Sequence, residues 1–240
     1  MLDGLKRWVS GAPTGTGWDD VALWAEQRQY PFRSVPGEGF VIDGRAVNTD
    51  WRLEWGPSQR SYVSGTELRL RAELALGSSL QLVLMNRELQ ETMEQAMFEQ
   101  AVESVQTRID NDTPPESRWL VMFPKLPGAE MGALRENFVA VASLRSWLSA
   151  WLQGPLTTAL TAMALAPTVP IVLMVSRGRL TLRAGLPSPD VTGLQPWLRL
   201  FETAIREARR VEAGKPQLAA ETDPPSAWSV SGLPEDDRRP

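Results

Sequence analysis

Two short segments of this chain, WRLEW (51–55) and ELRLRAEL (67–74), alternate apolar and charged side chains with a period of two. Successive side chains of a strand point to opposite faces. Trp51, Leu53 and Trp55 therefore share one face, as do Leu68, Leu70, Ala72 and Leu74. Arg52 and Glu54 take the other face, with Glu67, Arg69, Arg71 and Glu73. This is the pattern of an antiparallel sheet packed on one side and wet on the other.

The wet side mixes acids with bases. Glu54 is placed to pair across strands with Arg69 or Arg71, each pair being worth ~0.2–1 kcal/mol. A solvated sheet face is the first reading of the pattern. An anion or partner groove is the second: Arg52, Arg60, Arg69 and Arg71 are planar forks suited to carboxylate or phosphate. The loop GPSQRSY (56–62) would set Arg60, Ser61 and Tyr62 at the mouth of such a groove, and loops on a rigid sheet commonly carry binding residues.

The remaining segments read in order. WDDVALWAEQR (18–28) is a short helix. A meander follows over 39–47, 51–56, 61–75 and 80–85, with Asp43-Gly44 suited to a tight hairpin and Gly56-Pro57, Gly65 and Gly77-Ser78 as further breaks. Asn86 would cap a long amphipathic helix in which Leu89, Met93, Met97, Ala101, Val105 and Ile109 recur near every fourth residue. RWLVMFP (118–124) reads as a short buried strand. Residues 130–153 read as a second long helix, with Leu134, Phe138, Val141, Leu144, Leu148 and Trp151 on one stripe. A short buried helix over 156–166 precedes a hairpin turning at Arg177-Gly178. The last helix, 194–212, has Pro196 in its first turn and Leu198, Phe201, Ile205, Ala208 and Val211 as its stripe.

Strands gathered in a meander and a hairpin, with long helices beside them, predict an α+β fold. Its mainly antiparallel sheet is packed by two or three long amphipathic helices. Residues 1–17 read as a short helix and a Gly/Pro/Thr linker, and 18–213 as the folded domain, with 30–112 and 113–213 as candidate subdomains meeting at NDTPPES (111–117). Residues 214–240, rich in Pro and polar groups without periodicity, have too little apolar surface to fold alone.

The chain contains no histidine and no cysteine. That removes Ser-His-Asp and Cys-His catalysis, His- or Cys-ligated zinc, and disulfides within these 240 residues. Carboxylates, Lys or Tyr would have to carry any chemistry. Asp110 and Asp112, in the run DND, could present two acids to a hard cation such as Mg²⁺, although Asn/Asp clusters at a helix end ordinarily make turns. The glycines of 11–17 lack the Gly-Lys-Ser/Thr of a phosphate loop, and no cofactor is expected. The net charge of −4 gives no general attraction to nucleic acid.

Ten Trp residues suit cores and binding hot spots alike. Trp147, beside a stripe already filled by Leu144 and Leu148, is the candidate for a groove or a homodimer contact. Trp228, alone in the tail, could anchor a docking strand. Leu2, Leu5, Trp8 and Val9 sit at helical spacing beside Lys6 and Arg7, either docking on the chain's own domain or touching a membrane surface. No charged residue occurs from 146 to 176, but Pro155, Pro167 and Pro170 interrupt the run, so no transmembrane span is expected.

The sequence thus points to a cytoplasmic, non-catalytic module that binds a protein partner or a small anionic ligand. A carboxylate-based, Mg-dependent enzyme and a membrane-peripheral protein are the alternatives.

Overall fold

The computed structural model describes residues 17–35, 37–103 and 114–214. Among these residues eight strands form one sheet in which every neighbouring pair is antiparallel. In chain order they are β1 (Phe32–Val35), β2 (Gly39–Ala46), β3 (Thr49–Pro57), β4 (Thr66–Glu73), β5 (Leu82–Asn86), β6 (Phe138–Ala142), β7 (Ile171–Ser176) and β8 (Arg179–Gly185). Their spatial order is β1-β2-β3-β4-β8-β7-β5-β6. The meander runs unbroken through β4, and the hairpin β7–β8 then lies between β4 and β5.

One face of the sheet carries the larger core. Phe40, Ile42, Leu53, Leu70, Leu173 and Leu182 are buried there under four helices: α1 (Asp19–Gln27), α5 (Arg145–Leu152), α6 (Pro155–Ala162) and α7 (Val191–Ala213). The long α7 supplies Leu194, Trp197, Leu198, Phe201, Ile205 and Val211, a stripe at helical spacing. Among the described residues, helices cover only half the width of the opposite face. There α2 (Arg87–Glu103) and α3 (Pro115–Met122) pack Leu89, Met93, Trp119 and Leu120 onto Val83, Met85, Val141, Val172 and Met174. The other half, on β2, β3, β4 and β8, carries the arginines and carboxylates.

The α+β class, the period-two strands and the turn at Arg177-Gly178 stand as expected, both turn residues having positive φ. Several local expectations are corrected. Asp43-Gly44 is not a turn but mid-strand: β2 and β3 meet at Val47-Asn48, with φ of 49° and 56°. Gly44 is where it is because a Cβ there would meet the Trp51 ring at 2.2 Å. RWLVMFP is not a strand: its first five residues complete α3, started by Pro115 at a position where the missing N–H costs nothing.

Residues 130–153 are not one helix. They hold the end of α4 (Gly128–Met131), a 3₁₀ turn at Gly132–Leu134, the fully buried β6 and α5. Leu144 is 46% exposed beside α5 and not part of its core stripe. Asn86 ends β5 and caps nothing; its side chain donates to the Pro167 carbonyl at 2.6 Å and accepts from the Ile171 N–H at 3.0 Å. Pro196 lies inside α7, which starts earlier than expected because Asp190 caps it by accepting from the Gly193 N–H. The helix near 156–166 ends at Ala162 and buries only Leu156 and Leu160. No helix among the described residues is long and apolar enough to cross a membrane.

Candidate functional site

The uncovered half of the sheet builds its surface from the strand register. Asp43 pairs with Arg52, Arg52 with Arg71, and Arg71 with Thr181 across β2, β3, β4 and β8. One residue pair along, Glu54 lies opposite Arg69, and Arg69 opposite Arg183. Arginine therefore faces arginine twice, an arrangement that like charges destabilise unless acids intervene. Here they do. Asp43 accepts from Arg52 Nε at 2.7 Å and from Arg33 at 2.8 Å, and it holds the Arg52 pKa above its ordinary value. Glu54 pairs with Arg71 and, at 3.3 Å, with Arg69, so both pairings anticipated for it form.

Two regions divide the predicted residues between them. Arg52 and Arg71, with Asp43, Asp50, Glu73 and Arg179, line a shallow groove of about 370 Å³ near the Val47-Asn48 end of the strands. Arg69 lies between the two regions, paired with Glu54 and Glu67, while Arg60 and Tyr62 lie apart from the groove, beside the edge of α3. There Glu116, fully buried on the first turn of α3, accepts on one oxygen from Arg60 Nε and from the Tyr62 hydroxyl, both at 2.6 Å. Burial, then the Glu116 charge, raises the Tyr62 pKa above the ordinary phenol range. Burial is the largest influence on Arg60 and works against its charge, but the bond to Glu116 and the charges of Glu116, Tyr62 and Glu67 together outweigh it and the pKa rises.

Glu67, also fully buried, accepts from Arg183 at 2.6 Å, from Arg69 at 3.3 Å and from the Gln59 N–H at 3.0 Å. The second oxygen of Glu116 and Nε of Arg183 are buried without a hydrogen-bond partner.

Trp147 does not belong to either region. It is 1% exposed in the large core, tilted against Trp151 at 5.5 Å between ring centres, so its expected role at a groove or dimer contact is corrected. Asp110 and Asp112, the cation candidates, lie outside the described residues, as do Trp228 and residues 1–9. Among the described residues no three acidic side chains gather to hold a metal ion.

Sequence reasoning missed Glu116, Glu67, Asp43 and Arg183 as members of the charged network. Glu67 read as one more solvent-facing acid, and its burial depends on the loop after β3. Glu116 had no place on the sheet while α3 read as a strand. The signal for Glu116 was Pro114-Pro115, which starts a helix with that residue in its first turn.

No family model matches the chain, and no curated protein does. Among solved structures, the crystal structure of the mycobacterial trehalose monomycolate transport factor A, TtfA, is similar at 9% identity and a TM-score of 0.44. The match covers 80% of this chain and 92% of that one. A likeness that distant carries no argument about function.

Proposed function

We propose that the chain is a non-catalytic binding module that engages an acidic segment of a protein partner, or a small anionic ligand, through the uncovered half of its sheet. The observation that carries this reading is the in-register pair Arg52–Arg71 on a part of the sheet that no helix among the described residues covers. Each guanidinium shares its carboxylate with another arginine: Asp43 also serves Arg33, and Glu54 also serves Arg69. A guanidinium has five N–H donors, so both keep donors for an outside acceptor. The groove beside them is shallow, which suits an extended acidic segment better than an enclosed small molecule. The loop residues Arg60 and Tyr62, with Arg69, act in this reading as the buttress that fixes the edge of the face.

The test uses Arg52→Ala combined with Arg71→Ala. A fluorescent poly-glutamate peptide should bind the natural chain with strongly salt-dependent affinity and bind the double variant more weakly, while the melting temperature hardly moves. Equal binding by both proteins would refute the reading, as would unfolding of the variant, which would make these arginines structural.

A further inference from the structure

Large apolar side chains scattered singly over a surface need no explanation, but a group of them does. Among the described residues six are exposed, and three of those, Phe98 at 70%, Val121 at 70% and Met122 at 63%, belong to α2 and α3. The short α3 turns Glu116, Ser117, Trp119 and Leu120 inward, which leaves Val121 and Met122 on its outer side. In α2 Leu89 and Met93 face the core, and Phe98 stands off that stripe. The two helices are held together at this point. Lys125, just past Met122, pairs at 2.9 Å with Glu94, one turn before Phe98. Met97 and Phe123 pack half-buried against the core that both helices cover, and Phe123 lies 6.4 Å from Trp119 between ring centres.

The charge around this surface is one-sided. Five Glu and one Arg give α2 alone a net charge of −4, as much as the entire chain. Glu94 and Glu91 lie one and two turns before Phe98 on its own side of the helix, and Glu99 follows it. Glu88, Glu91 and Glu99 are exposed. Arg87 is engaged by the carbonyls of Arg135 and Glu136, and Lys125 by Glu94; Arg118 is the base on the outer side of α3. An apolar patch with an acidic rim repels an anionic bilayer surface, and a second copy of the chain would set acid against acid. It attracts a cationic amphipathic helix, the occupant that lays anchors at i, i+3 or i+4 and i+7 into such a surface. Met97 and Met122 add side chains that adapt to what they meet.

We infer that α2 and α3 form a docking surface for a basic amphipathic helix of a protein partner. The apolar stripe of that helix covers Phe98, Val121 and Met122, and its lysines or arginines meet Glu91, Glu94 and Glu99. The surface lies over β5, β6 and β7, on the other half of the sheet from Arg52 and Arg71, and it takes a partner segment of opposite charge. It therefore stands or falls separately from the function proposed above.

The test titrates the full chain with a fluorescent Leu/Lys peptide patterned as an amphipathic helix, and with a Leu/Glu peptide of the same pattern. The Leu/Lys peptide should bind and shift the backbone amide signals of Met97, Phe98, Val121 and Met122, while the Leu/Glu peptide should not. Phe98→Ser with Met122→Ser, both at exposed positions, should weaken binding by about tenfold or more. Leu23→Ser, an equally exposed apolar position on α1 across the sheet, should leave it unchanged. Glu91→Gln with Glu99→Gln should weaken binding several-fold and flatten its dependence on salt. If the serine variant fails to fold, the glutamine variant decides, and unchanged affinity there overturns the inference. So does equal binding of the Leu/Glu peptide, or failure of the Leu/Lys peptide to bind. A dimer in sedimentation that the serine variant abolishes would also overturn it, making a second copy the occupant. Flotation with phosphatidylcholine vesicles, lost in the serine variant, would assign the patch to lipid instead.

Discussion

The Tyr62 hydroxyl donates to Glu116 at 2.6 Å across 54 residues of sequence, and this bond ties the loop after β3 to the first turn of α3. Arg60 reaches the same oxygen, so one carboxylate anchors two side chains of that loop. The junction sits where the covered half of the sheet gives way to the charged half.

The phenol at that junction should resist ionisation. The chain has two tyrosines, and burial is the leading cause that raises the pKa of both, reinforced by Glu116 at Tyr62 and Glu202 at Tyr30. The unfolded chain ionises its phenols near the ordinary phenol pKa of 10.0 while the folded chain holds its protons. Stability present below that pH is therefore lost as pH rises above it. Phenolate absorbance should appear later in the folded protein than in urea. Tyr62→Phe should flatten the loss of stability at high pH, and equilibrium unfolding at neutral and alkaline pH reads the difference.

Glu116→Ala should destabilise the protein by about 2 kcal/mol, because it strips a buried acceptor from two donors. Arg60 is partly exposed and recovers some hydration, which keeps the loss below that of a fully buried pair. Urea unfolding measures it, and a change within experimental error would mean that the loop is held by something else.

Gly44 should not tolerate a side chain. A Cβ at that position meets the Trp51 ring, itself 2% exposed in the core, so Gly44→Ala must displace an indole that has little room to move. Overpacking of this kind costs roughly 1–3 kcal/mol. A melting temperature equal to that of the natural chain would show that Trp51 has another place to go.

The β2–β3 turn should be improvable. Val47 is β-branched, 46% exposed and held at positive φ, where its side chain contributes strain and little burial. Asn-Gly is the pair this turn geometry favours. Val47→Asn with Asn48→Gly should raise stability by about 1 kcal/mol by relieving the left-handed strain at Val47, seen as a higher midpoint in thermal or urea unfolding.

The legible and illegible parts of this fold differ in their surroundings. β3, β4 and β8 show period two because one side of each meets carboxylates and arginines and the other meets the core. β6, FVAVA, is buried on both sides and loses that alternation. Its Phe138 and Val141 then fell into step with Leu134, Leu148 and Trp151, so four separate elements read as one helix. For the same reason Arg52, Arg69 and Arg71 of the open face could be named from sequence, while Glu116 could not. Its importance comes from a helix docking across the sheet, a contact between distant segments that no local pattern encodes.

The insertion of β7–β8 between β4 and β5 has a consequence for how the protein is made on the ribosome. The meander is synthesised well before its neighbour in the sheet exists, so β4 waits with an unpaired edge until residues 171–185 emerge. Unpaired strand edges promote misassociation of nascent chains. The charged row Glu67, Arg69, Arg71 and Glu73 on that waiting strand keeps one of its faces soluble meanwhile.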